Sequence, residues 1–232
     1  MVNQNQPAPQ QPLAGKRVAV IVESQYIPQE IEIYRQRFQS YGATVDLVSH
    51  LWGQPKQRFY STVEPGVVDQ PQWLEVGIEV DDVKPSDYAA IIAVANYATV
   101  RLRSVPEPPP AADPRELVRN APAVRFFGDA MRDRRIVKGA PCHALWLLTP
   151  RPEVLRGRRV VCNTVVLADV LNAGAEYVPF EHGTPDSEQV FVDDDLVTNT
   201  GWHATEGLVE RIKDIIVQKQ QATAPTPAGV TL

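Results

Sequence analysis

Apolar residues along this chain alternate between two rhythms. Lys16-Arg-Val-Ala-Val-Ile-Val-Glu23 is a continuous apolar run after Gly15, the pattern of a strand covered on both faces. Ile27, Ile31, Tyr34, Phe38 and Tyr41 then recur at helical spacing, and with Pro28 in the first turn and Gly42 at the stop they predict a helix over about 28–41. Ala43 to Ser49 reads as a second short strand, and the strand-helix-strand order implies a right-handed parallel unit. Further strands are expected within Asp87–Asn96, in the run that ends at Cys142, at Arg158–Cys162, and as a hairpin of Gln189–Val192 with Leu196–Thr198. Helices are expected over Arg115–Arg132 with a break near Pro122, over Val166–Ala173 with a stop at Gly174, and over Thr205–Val217. This alternation predicts an α/β fold, a doubly wound and mostly parallel sheet with helices on both faces.

Three stretches fall outside the rhythm. Residues 1–14 and 218–232 are dominated by Gln, Pro, Ala and Thr with little to bury, and are expected to be disordered tails around a single domain at 15–217. Residues 51–72 form a long Gly-, Pro- and Gln-rich excursion, of a length more often functional or oligomer-forming than idle. Leu74 to Val80 alternates, as an edge hairpin would.

With 232 residues, 44% of them hydrophobic, the chain can bury a full core. Its formal charge of −5 argues against a nucleic-acid partner, which needs a basic excess in some stretch. The Arg132–Lys138 cluster, with Asp133 inside it, reads as a solvated helix end. Two cysteines and no opening signal segment make a reducing cytoplasm the default, and no apolar run approaches the length of a bilayer span.

Candidate chemistry centres on Cys142. The stretch Arg135-Ile-Val-Lys-Gly-Ala-Pro-Cys-His-Ala-Leu-Trp-Leu-Leu-Thr149 passes from a short apolar run through Cys-His into a helical pattern. A side chain at such a sharp strand-to-helix turn, a nucleophile elbow, stands clear of the sheet, and a helix starting there would favour the thiolate. The bland alternative is a small buried cysteine. Cys162 lies within a strand and reads as core. His50, His143, His182 and His203 lack ligand spacing, Asp193–Asp195 reads as a turn, and no Gly-rich phosphate loop is present, so neither metal nor cofactor is implied.

Four stretches resemble the DJ-1/PfpI superfamily: Lys16–Gly42, Asp87–Arg103, the Gly139–Leu148 elbow, and Gly157–Val178 with its Leu-Asn-Ala-Gly-Ala-Glu-Tyr-Val ending. The resemblance implies a flavodoxin-like sandwich and places a glutamate of the first helix against the sulfur; counting twelve residues back from Gly42 reaches Glu30. Helical phase agrees, since Glu30 falls at the edge of the apolar stripe whereas Glu32 points away. His143 resembles the candidate general base of the PfpI-type branch, and Asn163 falls where the DJ-1 branch has a histidine. Where relatives carry Pro-Gly-Gly beside the nucleophile this chain has Val94-Ala95-Asn96, so an oxyanion pocket would be lined by Ala95 and Asn96, with Asn tolerating a positive φ. Ala144 replaces a glycine, and Val100 stands where PfpI-type peptidases have a third catalytic residue. Trp202 and His203 follow the last strand and are candidate substrate contacts.

The implied function is cysteine-dependent chemistry on a small carbonyl- or amide-type substrate, of the glyoxalase/deglycase, amidase-like or hydratase kind. A PfpI-type intracellular cysteine peptidase is an alternative, weakened by Val100, and a redox sensor or chaperone-like protein using the same thiol is another. Relatives imply a homodimer or higher homo-oligomer, with a small molecule as the other partner.

Overall fold

The computed structural model describes residues 11–65 and 68–223. Six strands form the central sheet: β1 (Arg17–Ile21), β2 (Thr44–Val48), β5 (Ala90–Ala93), β6 (Val137–Pro141), β9 (Val190–Asp193) and β10 (Leu196–Asn199). They lie in the order β2-β1-β5-β6-β10-β9. All neighbours pair in parallel except β9, which closes the edge as an antiparallel hairpin with β10. The doubly wound α/β arrangement is present as the residue pattern predicts.

The continuous apolar runs are explained by the two layers that cover them. Val18, Val20, Ile92 and Val197 pack with α1 (Pro28–Ser40) and α6 (Thr205–Thr223). Ala19, Ile21, Ile91 and Ala140 face the opposite layer, made by α4 (Pro122–Arg132) and the turns around it. Alternate residues of one strand therefore serve two cores, and a polar residue on either face would be buried. Gly139 matters here because a Cβ on it would lie 3.0 Å from both Ile212 Cδ1 and Ile92 Cγ1, so its absence lets α6 lie close to the sheet.

Several elements depart from the sequence reading. The 51–72 excursion carries β3 (Gln57–Tyr60), which pairs antiparallel with β4 (Trp73–Val76) as a hairpin separate from the main sheet. The strand expected at 158–162 is only the two-residue β7 (Arg159–Val160), which pairs in parallel with β8 (Glu176–Tyr177) outside the central sheet. The 115–132 stretch breaks near Pro122 as expected, into α3 (Pro114–Arg119) and α4, because Pro122 has no amide hydrogen to continue the first. Between β5 and α3 runs α2 (Ala98–Leu102), and α5 (Thr164–Asn172) precedes β8. Helix α6 continues to Thr223, beyond the expected limit at 217, and Leu13 is fully buried, ahead of the expected domain start. The outer parts of both expected tails, 1–10 and 224–232, lie outside the described residues.

In the 132–138 stretch Arg132, Arg134 and Arg135 are exposed, as a solvated end would have them, but Lys138 is not. Its side chain is fully buried, ion-paired to the equally buried Asp195, and it donates to the carbonyls of Asp133 and Ile136 at 3.0 and 2.8 Å. Arg158 donates to the other Asp195 oxygen at 2.8 Å. The turn at Asp193–Asp195 thus ties the end of the sheet remote from Cys142 to β6. Among the described residues no helix is long and apolar enough to cross a membrane.

Candidate active site

The crevice at the carboxyl ends of β1, β5, β6 and β10 gathers the candidate residues, at the point where chain crossovers leave the sheet in opposite directions. Cys142 follows β6 directly and has φ 54°, a left-handed conformation that non-glycine residues rarely adopt. The backbone is held there from two sides. Its N–H donates to the Asn199 carbonyl at 2.9 Å and to Asn199 Oδ1 at 3.2 Å, and its carbonyl accepts from the Asn163 N–H at 3.1 Å. A rare conformation fixed by three hydrogen bonds is strain held in place by its surroundings, as at presented nucleophiles.

The sulfur sits among Ile27, Ala95 and the half-buried Trp202. The helix expected behind it is only a short 3-10 turn, Ala144–Leu147, so little dipole is available to favour the thiolate. Burial instead pushes the Cys142 thiol up to about 11; the backbone amides of Asn96 and His143 pull the other way, while Glu30 and Glu64 add to the rise. Glu64 belongs to the 51–72 excursion, which brings that segment into the electrostatic surroundings of the sulfur.

Glu30 lies in the first turn of α1 and is fully buried. Tyr34, one turn on, donates its hydroxyl to Glu30 Oε1 at 2.6 Å, and the Ala95 N–H donates to Oε2 at 2.9 Å. Burial nevertheless dominates and raises the carboxyl to about 7, against the stabilising effect of those two donors. A group near neutrality beside a high-pKa thiol can accept or return a proton at physiological pH.

Asn96 also has a left-handed φ, 65°, and is buried, so asparagine occupies the turn that a glycine would otherwise make. The Ala95 amide is committed to Glu30, which leaves the next amide, that of Asn96, as the one near the sulfur. Ala144 is fully buried in the core behind the elbow. His143 is buried with Nδ1 lacking a hydrogen-bond partner, and its ring packs against Tyr97 and Trp146 at centroid distances of 5.0 and 5.6 Å. Desolvation lowers its pKa, opposed by the Asn163 side chain. Val100 lies on α2 and is 38% exposed.

Asn163 has a structural task as well, since its Oδ1 caps α5 by accepting from the Val165 N–H at 3.0 Å. It also lines a polar recess of about 340 Å³ with Cys162, Tyr177, Gln189 and His203. His203 stacks on Trp202 at 4.1 Å, so these two residues bridge the recess and the sulfur's apolar surroundings. Cys162 is buried, and burial raises its thiol to about 12. Asn199 escaped the sequence reading; it is the last residue of β10 and fully buried, and a polar residue at the carboxyl end of a strand is the signal that could have found it. Among the described residues no group of His, Cys, Asp and Glu is arranged to hold a metal ion.

The DJ-1/PfpI family profile matches residues 111–214. The fold is similar to that of a two-domain protein from Anabaena variabilis with DJ-1/ThiJ/PfpI-like and ferritin-like domains, at 20% identity and a TM-score of 0.63. That match covers 85% of this chain and 48% of the Anabaena protein, so the chain spans about half of its length. A putative protease I from Bacteroides thetaiotaomicron matches at 10% identity and a TM-score of 0.64, over 87% of this chain and 99% of that one. DJ-1 from Schizosaccharomyces pombe matches at 11% identity and a TM-score of 0.60, over 90% and 100%. No curated protein matches the sequence. Residues 111–214 thus match the DJ-1/PfpI family profile, and the fold over most of the chain is similar to that of DJ-1/PfpI-type structures.

Proposed function

We propose that the chain is a cysteine-dependent enzyme acting on a small carbonyl- or amide-type substrate through Cys142. The observation that carries this reading is a thiol held at a left-handed turn within the electrostatic influence of a buried carboxyl near neutrality, Glu30. The gap between a thiol at about 11 and a carboxyl at about 7 makes outright proton transfer uphill by about 5 kcal/mol. The thiolate is therefore not stored; the proton leaves as the substrate is attacked.

In the first step ionised Glu30 takes the Cys142 proton while sulfur forms a bond to the electrophilic carbon. The carbonyl π electrons move to oxygen, where the amides of Asn96 and His143 are suited to meet the developing charge. The protonated Glu30 then supplies the proton that the adduct oxygen or a departing amine needs. An α-oxoaldehyde and a primary amide share this first step and diverge afterwards. Trp202 and His203 would contact the substrate body, and Asn163 would hold its polar end in the recess.

A peptidase reading is disfavoured by Val100, which cannot orient a catalytic histidine. A sensor reading is disfavoured by the high thiol pKa, since oxidation proceeds through the thiolate. Relatives of this fold suggest a homo-oligomer working in the cytoplasm. Turnover of methylglyoxal and of small primary amides by the wild type and by Cys142→Ala tests the proposal. A rate on one substrate class that vanishes in the variant supports it; equal rates in both proteins would sink it.

A further inference from the structure

A second cavity, of about 750 Å³, opens between α2, α3, α5 and the turn after the elbow, and Cys142 is not among its walls. Arg103 caps the C-terminus of α2 and reaches into this wall. Its Nη1 donates to the Trp146 carbonyl at 3.2 Å and to Thr149 Oγ1 at 3.1 Å, and the guanidinium lies 5.4 Å over the Trp146 ring. Its Nε is buried with no hydrogen-bond partner. Desolvation lowers the Arg103 pKa, and the nearby Asp169 carboxylate opposes that shift only in part.

Asp169 is the acidic residue on the wall; its Oδ2 accepts the Trp146 indole N–H at 2.6 Å, and it favours the Arg103 cation without forming an ion pair with it. Arg119 is neutralised by Glu153 at 2.9 Å and Glu116 at 3.7 Å. Arg115, on the same wall, forms no side-chain hydrogen bond or ion pair among the described residues, its amide alone being taken by Asp113. Two guanidinium groups without an ion pair among the described residues, one of them with an unused buried donor, thus border a cavity that is otherwise lined largely by proline, valine and alanine.

We propose that this cavity binds a small organic anion, a phosphate or carboxylate carried on an apolar body, with the anionic end between Arg103 and Arg115. Guanidinium forks are suited to oxyanions because planar donors match two oxygens at once. The apolar body would lie along Pro114, Val118 and Pro150, replacing water from surface that is otherwise exposed. Neither Cys142 nor Glu30 takes part, so this site stands independently of the proposed reaction.

Calorimetric titration of the full chain with phenyl phosphate tests the site. The expected result is one saturable site, weaker binding of inorganic phosphate, and none of benzyl alcohol, which has a similar apolar body and no charge. Arg103→Gln should weaken phenyl phosphate roughly tenfold or more, the range of a lost charge-assisted hydrogen bond. Arg115→Gln alters an exposed residue outside the core and should weaken binding roughly threefold or more, which keeps a test available if the Arg103 variant does not fold. Alkylating Cys142 with iodoacetamide should leave the affinity unchanged. Unsaturable binding, equal binding of benzyl alcohol, wild-type affinity in Arg115→Gln, or loss of binding on alkylation would each overturn the proposal.

Discussion

Replacing Glu30 with glutamine should abolish turnover and at the same time stabilise the protein at alkaline pH. In the folded chain the carboxyl titrates at about 7 against an ordinary 4.5, because burial disfavours the charged form more than Tyr34 and Ala95 favour it. A folded pKa above the unfolded one means that the folded state holds the extra proton between those values. The stabilisation is fully present below about 4.5 and is lost as pH rises through about 7. The displacement corresponds to about 3 kcal/mol, of which about 2.5 kcal/mol falls between pH of about 5 and about 8.5. In Glu30→Gln the side-chain amide keeps an oxygen to accept from Tyr34 and Ala95 but carries no charge to desolvate. Urea unfolding at the two pH values should therefore show the variant gaining on the wild type by about that amount at the higher one. A difference between the two proteins that stays constant with pH would refute the assignment of Glu30 as a desolvated carboxyl near neutrality, whatever the catalytic outcome.

Two further outcomes follow from the same geometry. Tyr34→Phe removes a 2.6 Å hydrogen bond that favours ionised Glu30, so the acidic limb of kcat/KM should move up from about 7 by roughly one to two pH units; an unmoved limb would separate Glu30 from the rate. Lys138→Met leaves Asp195 buried with Arg158 as its remaining cation and should cost about 3–5 kcal/mol in chemical denaturation, with Lys138→Met/Asp195→Leu recovering part of the loss. Equal stability of the single variant and the wild type would contradict the burial of that pair.

The strands and helices were legible because their signals are local. A continuous apolar run such as Val18–Val22 announces cover on both faces, and Ile27, Ile31, Tyr34 and Phe38 announce the inward face of a helix. The same phase singled out Glu30 over Glu32, and the apolar run into Cys-His marked the elbow. Less legible were features whose cause lies in another segment. The excursion at 51–72 hid β3 because the alternation of a two-strand hairpin is short and its partner lies more than ten residues on. Asn163 was weighed only by its resemblance to a histidine position, whereas its capping of α5 follows from an N-cap rule applied one residue ahead of Thr164. Lys138 looked like part of a charged surface until Asp195 arrived from 57 residues away to pair with it.

Residue pattern thus indicated the order and type of most elements and the elbow thiol, since periodicity and turn chemistry act over a few neighbours, while the carboxyl was found through the family resemblance, with which helical phase agreed. How those groups ionise is a property of packing. A four-residue 3-10 turn behind Cys142, the depth at which its sulfur lies, and the full enclosure of Glu30 set a thiol near 11 and a carboxyl near 7. Desolvation of the sulfur comes from Ile27, Ala95 and Trp202, which distant parts of the chain bring together, and no single stretch of chain encodes it. The same holds for Asn199, whose amide is an ordinary strand-end residue until the fold lays it against the Cys142 backbone.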